Sequence, residues 1–342
     1  MTTSEPRAPS PEPRERLSHR LLIIGPSNIG DGILMSGVVA RLHARYPASH
    51  LTLVVGARAK TLFVDDPRVH ALVDTDQFDS PLGRAKLAWA LQRYRPHVIV
   101  DLRHTLYPLL LKPLSLWRYL RRPPAALAHM RERHQWLLDA QAGVGAGDNG
   151  EAPGLWLGPR DEAHVEALWR RWKLEGGDAV VVICPGARSH IKRWTPDGFA
   201  RVADRLIAEW SVRVVLSGEP EEKPVIDEVL GLMHGRAHNA VGLVTIRQLA
   251  GVMRRSRLVI TNDSASLHLA SAVGTPTVAI FGPTDAAKYG PTVNPSRTVR
   301  RRLFCAPCER ALCRFNHECM RFIGPDEVFD AANDLLKQGT RG

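Results

Sequence analysis

The sequence lacks several features that would decide its class at once. No uninterrupted apolar stretch approaches the roughly 18–20 residues of a membrane span, and residues 1–16 contain no apolar run of the kind found in a signal peptide. We therefore expect a cytoplasmic protein with a disordered tail over residues 1–16. The G-x-G-x-x-G spacing is absent from residues 25–32, so an NAD site has little support.

Acidic residues are fewer than basic ones. The net charge is +11, and residues 80–135 hold 11 basic residues against 2 acidic ones. Such a patch attracts polyanions, but no helix-turn-helix, RNA-binding signature or zinc-finger spacing supports nucleic acid as the partner. Within residues 106–122, aliphatic side chains, Trp117 and Tyr119 alternate with cations, as in surfaces that meet anionic lipid headgroups. A solvated basic face over a core helix is the structural alternative.

Short apolar runs alternate with helical periodicity along the chain, and its 342 residues favour two domains. A Gly-rich segment at 143–154 predicts a loop or linker, with the domain boundary shortly after it. The alternation predicts two doubly wound α/β domains that face each other across a cleft. Strands are predicted at 21–24, 51–55, 98–102, 180–184, 212–218 and 257–260, and helices at 33–46, 83–94, 161–173, 196–210, 221–234 and 245–254.

Residues 261–285 are the most informative stretch, because they predict a strand end, a polar turn, a helix and a second strand in one unit. Asp263 or Ser264 would cap the helix, which Gly274 and Pro276 would end. The first backbone N–H groups of a helix lack intrahelical partners, and its dipole is positive at that end. The unit therefore predicts a phosphate site outside the carboxyl ends of the strands.

Two further loops carry carboxylates that suit substrate binding. Asp31 lies between two glycines after the first strand, where a carboxylate can take a proton from a substrate hydroxyl, although an N-cap role is the structural alternative. The loop at 217–222 also follows a strand, and a carboxylate there can accept both hydroxyls of a ribose. Its Glu221 and Glu222 fit equally well the acidic first turn of a helix.

The loop at 185–194 brings cations and hydroxyls to the same edge. Lys192 is an ammonium suited to neutralising a diphosphate leaving group, and Ser189 could add a hydroxyl hydrogen bond. Taken alone, a Lys-Arg pair is usually solvated surface.

The chain resembles the heptosyltransferases of bacterial lipopolysaccharide synthesis, glycosyltransferase family 9, which have the two-Rossmann GT-B architecture. The resemblance spans residues 21–323, with its motifs in the family's order. It implies inverting transfer of a heptose from ADP-heptose to the nascent inner core, without a catalytic metal. The matching motifs are IGD (29–31), PGA with KRW (185–187, 192–194), SGEPEE (217–222), TNDSASLHLASAVGTPTVAIFGPTD (261–285) and CAPC (305–308).

The resemblance also implies residue roles and a division of the chain. Asp31 would be the general base, Lys192 the diphosphate partner and Glu222 the ribose acceptor, while Asp263, Ser264 and His268 would form the helix-end donor site. A packed or capping histidine is the alternative for His268. The expected organisation is a tail at 1–16, an acceptor-binding Rossmann-like domain at 17–155, a linker region at 156–178 and a nucleotide-sugar-binding Rossmann-like domain at 179–342.

The implied partners are a nucleotide sugar and an anionic lipid-linked saccharide, with peripheral contact at the inner membrane through the basic, aromatic segment 103–122. Nucleic acid is not expected. Two alternatives share the two-domain cleft, namely a nucleotide-sugar epimerase and a family 9 transferase that uses another nucleotide sugar. A basic nucleic-acid-binding protein is a third class, which would ignore mononucleotides and show a steep salt dependence.

The chain has few cysteines, and four of its five are clustered. Cys305, Cys308, Cys313 and Cys319 follow a C-x2-C-x4-C-x5-C spacing in segment 305–319, whereas Cys184 is distant. A cytoplasmic setting disfavours stable disulfides. The spacing allows a structural zinc site, and reduced packing thiols are the alternative.

Overall fold

The computed structural model describes residues 19–112, 116–145, 154–174 and 177–339. The expected tail at 1–16 and most of the expected linker at 143–154 lie outside these ranges. The strands are β1 (Arg20–Ile24), β2 (His50–Val55), β3 (Ala71–Asp74), β4 (Val98–Asp101), β5 (Val180–Cys184), β6 (Arg213–Leu216), β7 (Ala237–Asn239), β8 (Leu258–Asn262), β9 (Thr277–Phe281) and β10 (Ser296–Arg300).

Helices connect the strands, as parallel pairing requires. None of those in the described part of the chain has the length and apolar composition needed to cross a membrane. They are α1 (Ile29–Arg45), α2 (Ala57–Lys60), α3 (Pro81–Gln92), α4 (Tyr107–Leu111), α5 (Leu116–Leu120), α6 (Met130–Ala142), α7 (Pro159–Arg171), α8 (Pro196–Trp210), α9 (Lys223–Leu232), α10 (Ile246–Arg254), α11 (Ala265–Ala272), α12 (Ala286–Tyr289), α13 (Glu318–Arg321) and α14 (Pro325–Gly339).

The strands form two parallel sheets, which confirms the predicted α/β class. The first has the order β3-β2-β1-β4 and the second β10-β9-β8-β5-β6-β7. In both, the chain moves outward from its first strand to one edge and then returns to the other side, which is the doubly wound topology. The order therefore reverses between β1 and β4 and between β5 and β8. Ligands of open α/β sheets bind at such points.

Burial on both faces explains why the central strands are almost uninterrupted apolar runs. One cluster of buried side chains includes residues of both sheets, such as Ile23 of β1 and Val182 of β5. Helices α1 and α11 pack against each other and join the two halves. A second cluster covers the opposite face of the second sheet around Phe199, and a third covers the opposite face of the first sheet around Leu87.

The predicted elements occur where expected, with limited differences at their ends. Helix α8 and strand β5 have the predicted bounds, and α1 begins four residues before its predicted start. Strands β3, β7 and β10 were not predicted, because they are short or carry polar residues at an edge. The division at 155 and 179 remains a prediction.

Candidate functional site

A cavity of 1340 Å³ lies between the two sheets and is lined by the loops that follow β1, β5, β6 and β8. Because parallel strands end at the same edge, loops that are distant in sequence meet there. Every site residue predicted from the sequence lies on its wall: Asp31, Ser189, Lys192, Glu222, Asp263, Ser264 and His268.

Asp31 lies in the first turn of α1, three residues after Asn28, which occupies the N-cap position. The N-cap alternative for Asp31 is therefore wrong. Burial raises the pKa of its carboxyl, while a hydrogen bond from the Asn28 side chain and the nearby Lys192 ammonium oppose that rise and Asp263 adds to it. Asn28 Oδ1 in turn accepts a hydrogen bond of 3.1 Å from Arg188 of the second half. A half-buried carboxyl of this kind can act as a general base.

Lys192 ends a short 3-10 turn after β5, and its Nζ lies 2.7 Å from Asp263 Oδ2. The Asp263 side chain is almost fully buried, whereas the Lys192 side chain remains about one-third exposed. A buried carboxylate needs a partner, so Asp263 fixes the ammonium at the cavity wall. The solvated-surface alternative for this lysine is therefore wrong.

A buried asparagine holds the Lys192 loop against β8. Asn262 Nδ2 donates to the Pro185 carbonyl at 2.8 Å, and its Oδ1 accepts from the Trp194 amide at 3.0 Å. The Trp194 ring is buried, and its Nε1 donates to the Ile323 carbonyl at 3.0 Å. Both ends of the loop are thereby anchored, which places Lys192 at a defined position.

Helix α11 points its N-terminus into the cavity. Ser264 occupies the N-cap position in an extended conformation, and its hydroxyl lies 3.4 Å from Thr261 Oγ1. Ser264, Ala265 and Ser266 all line the cavity. The first backbone amides of α11 therefore adjoin the cavity and can meet an anion there.

His268 is one turn into α11 and buried, with its ring against Gly30 of α1 and 6.4 Å from the Tyr289 ring. Burial lowers the pKa of this imidazole to about 4. The ring is therefore neutral at pH 7 and can offer one donor and one acceptor nitrogen. His268 packs between the two halves, in line with the packed-histidine alternative, and also lines the cavity. Its assignment to the donor site remains a prediction.

Glu222 lies in the loop after β6, where its Oε2 accepts a hydrogen bond of 2.9 Å from the Glu219 amide. Glu221 and Glu222 also lie in the first turn of a 3-10 helix at Pro220–Glu222, in line with the acidic-first-turn alternative. The carboxyl also lies so close to Gly186 and Gly218 that a Cβ on either residue would overlap it. Burial raises the pKa of Glu222. The Glu222 carboxyl therefore stabilises the local loop and also lines the cavity. Ser189 lines the same cavity.

The cavity wall also includes residues outside the predicted site set, and four of these make contacts between the two halves. Arg58 pairs with Glu219 across the two halves, and Arg188 reaches Asn28. Arg247 pairs with Asp161 at 3.2 Å and contacts the Val64 carbonyl. A single arginine after a strand is common in sequences, so no local signal distinguished Arg58 or Arg247. Asn28 and Arg188 lie in loops that the sequence analysis had already assigned to the site. Asn28 precedes Asp31 in the first loop, and Arg188 belongs to the loop at 185–194.

The cysteines do not support the zinc hypothesis. Cys305, Cys308, Cys313 and Cys319 line a second cavity of 490 Å³. Among the described residues, however, no group of three or more His, Cys, Asp or Glu side chains is arranged to hold a metal ion. Zinc needs thiolates about 2.3 Å from the metal, and the described residues offer no such set. Cys184 is buried at the end of β5, and burial raises the pKa of its thiol to about 12.

The basic, aromatic segment combines buried and exposed residues. Tyr119 packs into the core of the first half, in line with the core-helix alternative. Leu106, Leu110, Trp117 and Leu120 are exposed. The Arg118 guanidinium lies 5.4 Å from the Trp117 ring centroid, and Arg93 lies 4.1 Å from that of the exposed Trp89. The surface of α3, α4 and α5 is thus both cationic and apolar.

Comparison with known proteins connects this chain to one family. The family model described as glycosyltransferase family 9 (heptosyltransferase) matches residues 113–318. Lipooligosaccharide heptosyltransferase 2 of Campylobacter jejuni is 31% identical over 169 residues, which are 48% of this chain and 53% of that protein. Lipooligosaccharide heptosyltransferase 2 of Haemophilus influenzae is 24% identical over 92% of this chain and 99% of that protein.

The fold is likewise similar to a solved structure, that of E. coli ADP-heptose lps heptosyltransferase II. Its TM-score is 0.70 with 23% identity, and the match covers 94% of this chain and 99% of that chain. At this identity the likeness concerns the fold, which is GT-B.

Proposed function

The chain belongs to glycosyltransferase family 9, the heptosyltransferase family, and on that basis we propose that it transfers a heptose from ADP-heptose to the inner core of nascent lipopolysaccharide. The observation that carries the proposal is the convergence of a half-buried carboxylate, an ammonium and a helix N-terminus on one cavity. The names of the relatives and of the E. coli structure support heptose as the sugar and ADP as the nucleotide.

The proposed reaction begins at Asp31. Its carboxylate takes the proton of the acceptor hydroxyl, and the oxygen attacks the anomeric carbon as the bond to ADP breaks. Attack on the face opposite the leaving group inverts the configuration. Asp31 belongs to the first half and Lys192 to the second, so the acceptor and the leaving group approach from the two sides of the cavity. The leaving diphosphate carries the negative charge that the second half must stabilise.

Lys192 and the α11 amides supply that stabilisation. A fixed ammonium and a helix N-terminus at a developing anion lower the barrier without reorganising during the reaction. Asp263, itself anionic, contributes by holding Lys192 at 2.7 Å rather than by touching phosphate. The neutral His268 can donate a hydrogen bond to a phosphate oxygen, and Ser189 and Ser264 can add hydroxyls. These groups suit a transfer that uses no catalytic metal.

Glu222 is proposed to bind the ribose of the nucleotide. Its carboxylate lies at the end of β6, where acidic residues of dinucleotide folds accept the ribose hydroxyls. In this account, residues 179–342 bind the nucleotide sugar and residues 17–155 bind the acceptor. The exposed surface of α3, α4 and α5 would meet the anionic lipid-linked acceptor at the inner face of the membrane.

A nucleotide-sugar epimerase is the alternative reaction for the same cavity. It would convert the donor with no acceptor present, whereas the proposed transferase releases ADP slowly until an acceptor is added. Measuring ADP release with and without acceptor separates the two.

The proposal is tested by calorimetric titration of ADP, UDP and GDP into the wild type and Lys192→Ala. We expect a preference for ADP, with affinity at least about tenfold lower in the variant, because the diphosphate loses its cation and the Asp263 carboxylate is left unpaired beside it. Lys192→Arg should retain most of the affinity, and Lys86→Ala on the exposed face of α3 should change nothing. A preference for UDP or GDP would overturn the heptose assignment, and failure to bind any nucleotide would overturn the transferase account.

A further inference from the structure

Residues 300–322 form an unusually apolar surface around the cysteine-lined cavity. Phe304 is 88% exposed and Leu312 is 72% exposed, and Phe315 and Phe322 are also exposed. The Phe304 and Phe315 rings contact each other edge to face, with centroids 5.2 Å apart. Large apolar side chains that cluster on a surface mark an interaction site, because their exposure to water costs free energy.

The same residues are strongly basic. Residues 300–322 contain six arginines and two glutamates. Arg301 Nη2 donates a hydrogen bond of 2.8 Å to the Phe322 carbonyl, and the same guanidinium pairs with Glu327. Arg310 and Arg314 line the same cavity as Phe304 and Phe315. The exposed arginines of the segment are Arg300, Arg302, Arg310, Arg314 and Arg321. The surface is therefore cationic around an apolar centre.

This surface adjoins the mouth of the larger cavity. The amides of Cys308 and Glu309 donate to the Pro283 carbonyl at 2.9 and 2.8 Å. Glu309 also accepts from Lys288 Nζ at 2.7 Å, and Pro283, Glu309 and Arg310 line the larger cavity. A membrane bound to residues 300–322 would therefore lie next to the cavity opening.

The first half approaches the same side of the molecule. His129, which follows α5, contacts the Gly290 carbonyl at 3.1 Å through Nε2. Gly290 ends α12, the helix that Lys288 connects to Glu309. The His129 contact therefore brings the first half to α12, and Lys288 of α12 pairs with Glu309 of the segment 300–322.

We propose that residues 300–322 are a second membrane-docking surface, which binds an anionic phospholipid bilayer. Phe304, Leu312 and Phe315 enter the headgroup region while the surrounding arginines contact lipid phosphates. The proposal goes beyond the function given above, which places membrane contact in the first half. Charge complementarity selects an anionic bilayer, and the exposed Leu312 favours a bilayer over a nucleic acid, because a leucine side chain cannot stack on bases as phenylalanine can.

The test is co-sedimentation of the full-length protein with phosphatidylglycerol–phosphatidylcholine vesicles and with phosphatidylcholine vesicles alone. The test variant is Leu312→Ser with Arg314→Glu. The control is Leu232→Ser with Arg236→Glu, which makes the same changes at two exposed residues near the end of α9. We expect the wild type to favour the anionic vesicles, the test variant to bind them at least about tenfold more weakly, and the control to bind like the wild type.

Two results would overturn the docking surface: equal binding of wild type and test variant, or equal binding of the wild type to both kinds of vesicle. Thermal unfolding of each variant checks that the chain remains folded. ADP titration of the test variant keeps this proposal separate from the catalytic one. Loss of vesicle binding with unchanged ADP affinity supports the docking surface, whereas parallel loss of both would indicate a damaged fold and contradict a separate docking role.

Discussion

The side chain of Asn28 connects the two halves of the cavity through hydrogen bonds. Its side chain hydrogen-bonds the Asp31 carboxyl and also accepts from Arg188, which belongs to the opposite half. A hydrogen bond to a carboxylate favours its charged form and lowers its pKa. Asn28 therefore acts through Asp31 as a positioning residue, and it opposes the rise in pKa that burial causes.

Replacing Asn28 should move the pH dependence of the reaction. The base must be deprotonated, so kcat/KM falls as the pH decreases through the pKa of Asp31. Asn28→Ala removes the hydrogen bond that lowers this pKa, and we expect the acidic limb of the pH–rate profile to shift to higher pH. Asn28→Gln retains the amide and should restore part of the original position. An acidic limb that does not move in Asn28→Ala would contradict the coupling.

The sequence indicated Asp31, Lys192 and Glu222 because each follows a predicted strand, and parallel strand ends meet at one edge. The pairing of Lys192 with Asp263 was not predictable, since it joins residues 71 positions apart in two loops. The partner of Asn28 depends on how the two halves approach each other. Local residue patterns carry no information about that geometry.

At the scale of secondary structure elements, β8 positions the Lys192 loop through one side chain. Asn262 is the last residue of β8 and is fully buried, with bonds to Pro185 and Trp194 at the two ends of the loop. A buried polar group that loses its partner costs the free energy of its desolvation. The loop depends on this contact for its position and for part of its stability.

Asn262→Ala should therefore lower both stability and donor binding. We expect a loss of about 2 kcal/mol in the free energy of unfolding, since the Trp194 amide and the Pro185 carbonyl lose buried partners. Urea unfolding measures this change, and ADP titration should show weaker binding because Lys192 is less well positioned. Asn239→Ala, at the end of the edge strand β7, should leave ADP binding unchanged. Normal ADP affinity in a destabilised Asn262→Ala would contradict the positioning role.

Elements with strong periodicity were predictable, and those that depend on tertiary contacts were not. Helix α8 begins at Pro196 after the Thr195 cap and has a clear apolar face, so its bounds were evident. Strand β10 reads SRTVR and pairs only with β9. Its polar residues are tolerated because an edge strand is partly solvated. Pairing with β9, rather than the composition of β10 itself, therefore decides the structure of this strand.

At the scale of the whole molecule, the two halves are joined around the cavity by packing and by polar contacts. Helix α1 carries Asp31 and packs on α11, which presents its N-terminus to the cavity. Two polar contacts also join the halves at the cavity wall. Arg58 pairs with Glu219, and Arg188 donates a hydrogen bond to Asn28. The predicted two-sheet architecture was accessible from βα alternation, but the contacts that bring Asp31 and Lys192 to one cavity required the assembled chain.

The most direct test of this account compares heptose transfer from ADP-heptose to a lipid-linked inner-core acceptor by the wild type and Asp31→Asn. The account predicts that the wild type releases ADP only slowly until acceptor is added, and that kcat falls about 10²- to 10⁴-fold in the variant while ADP binding is retained. An Asp31→Asn enzyme that transfers heptose at the wild-type rate would contradict the assignment of Asp31 as the base. Donor turnover by the wild type that acceptor does not accelerate would contradict the transferase itself.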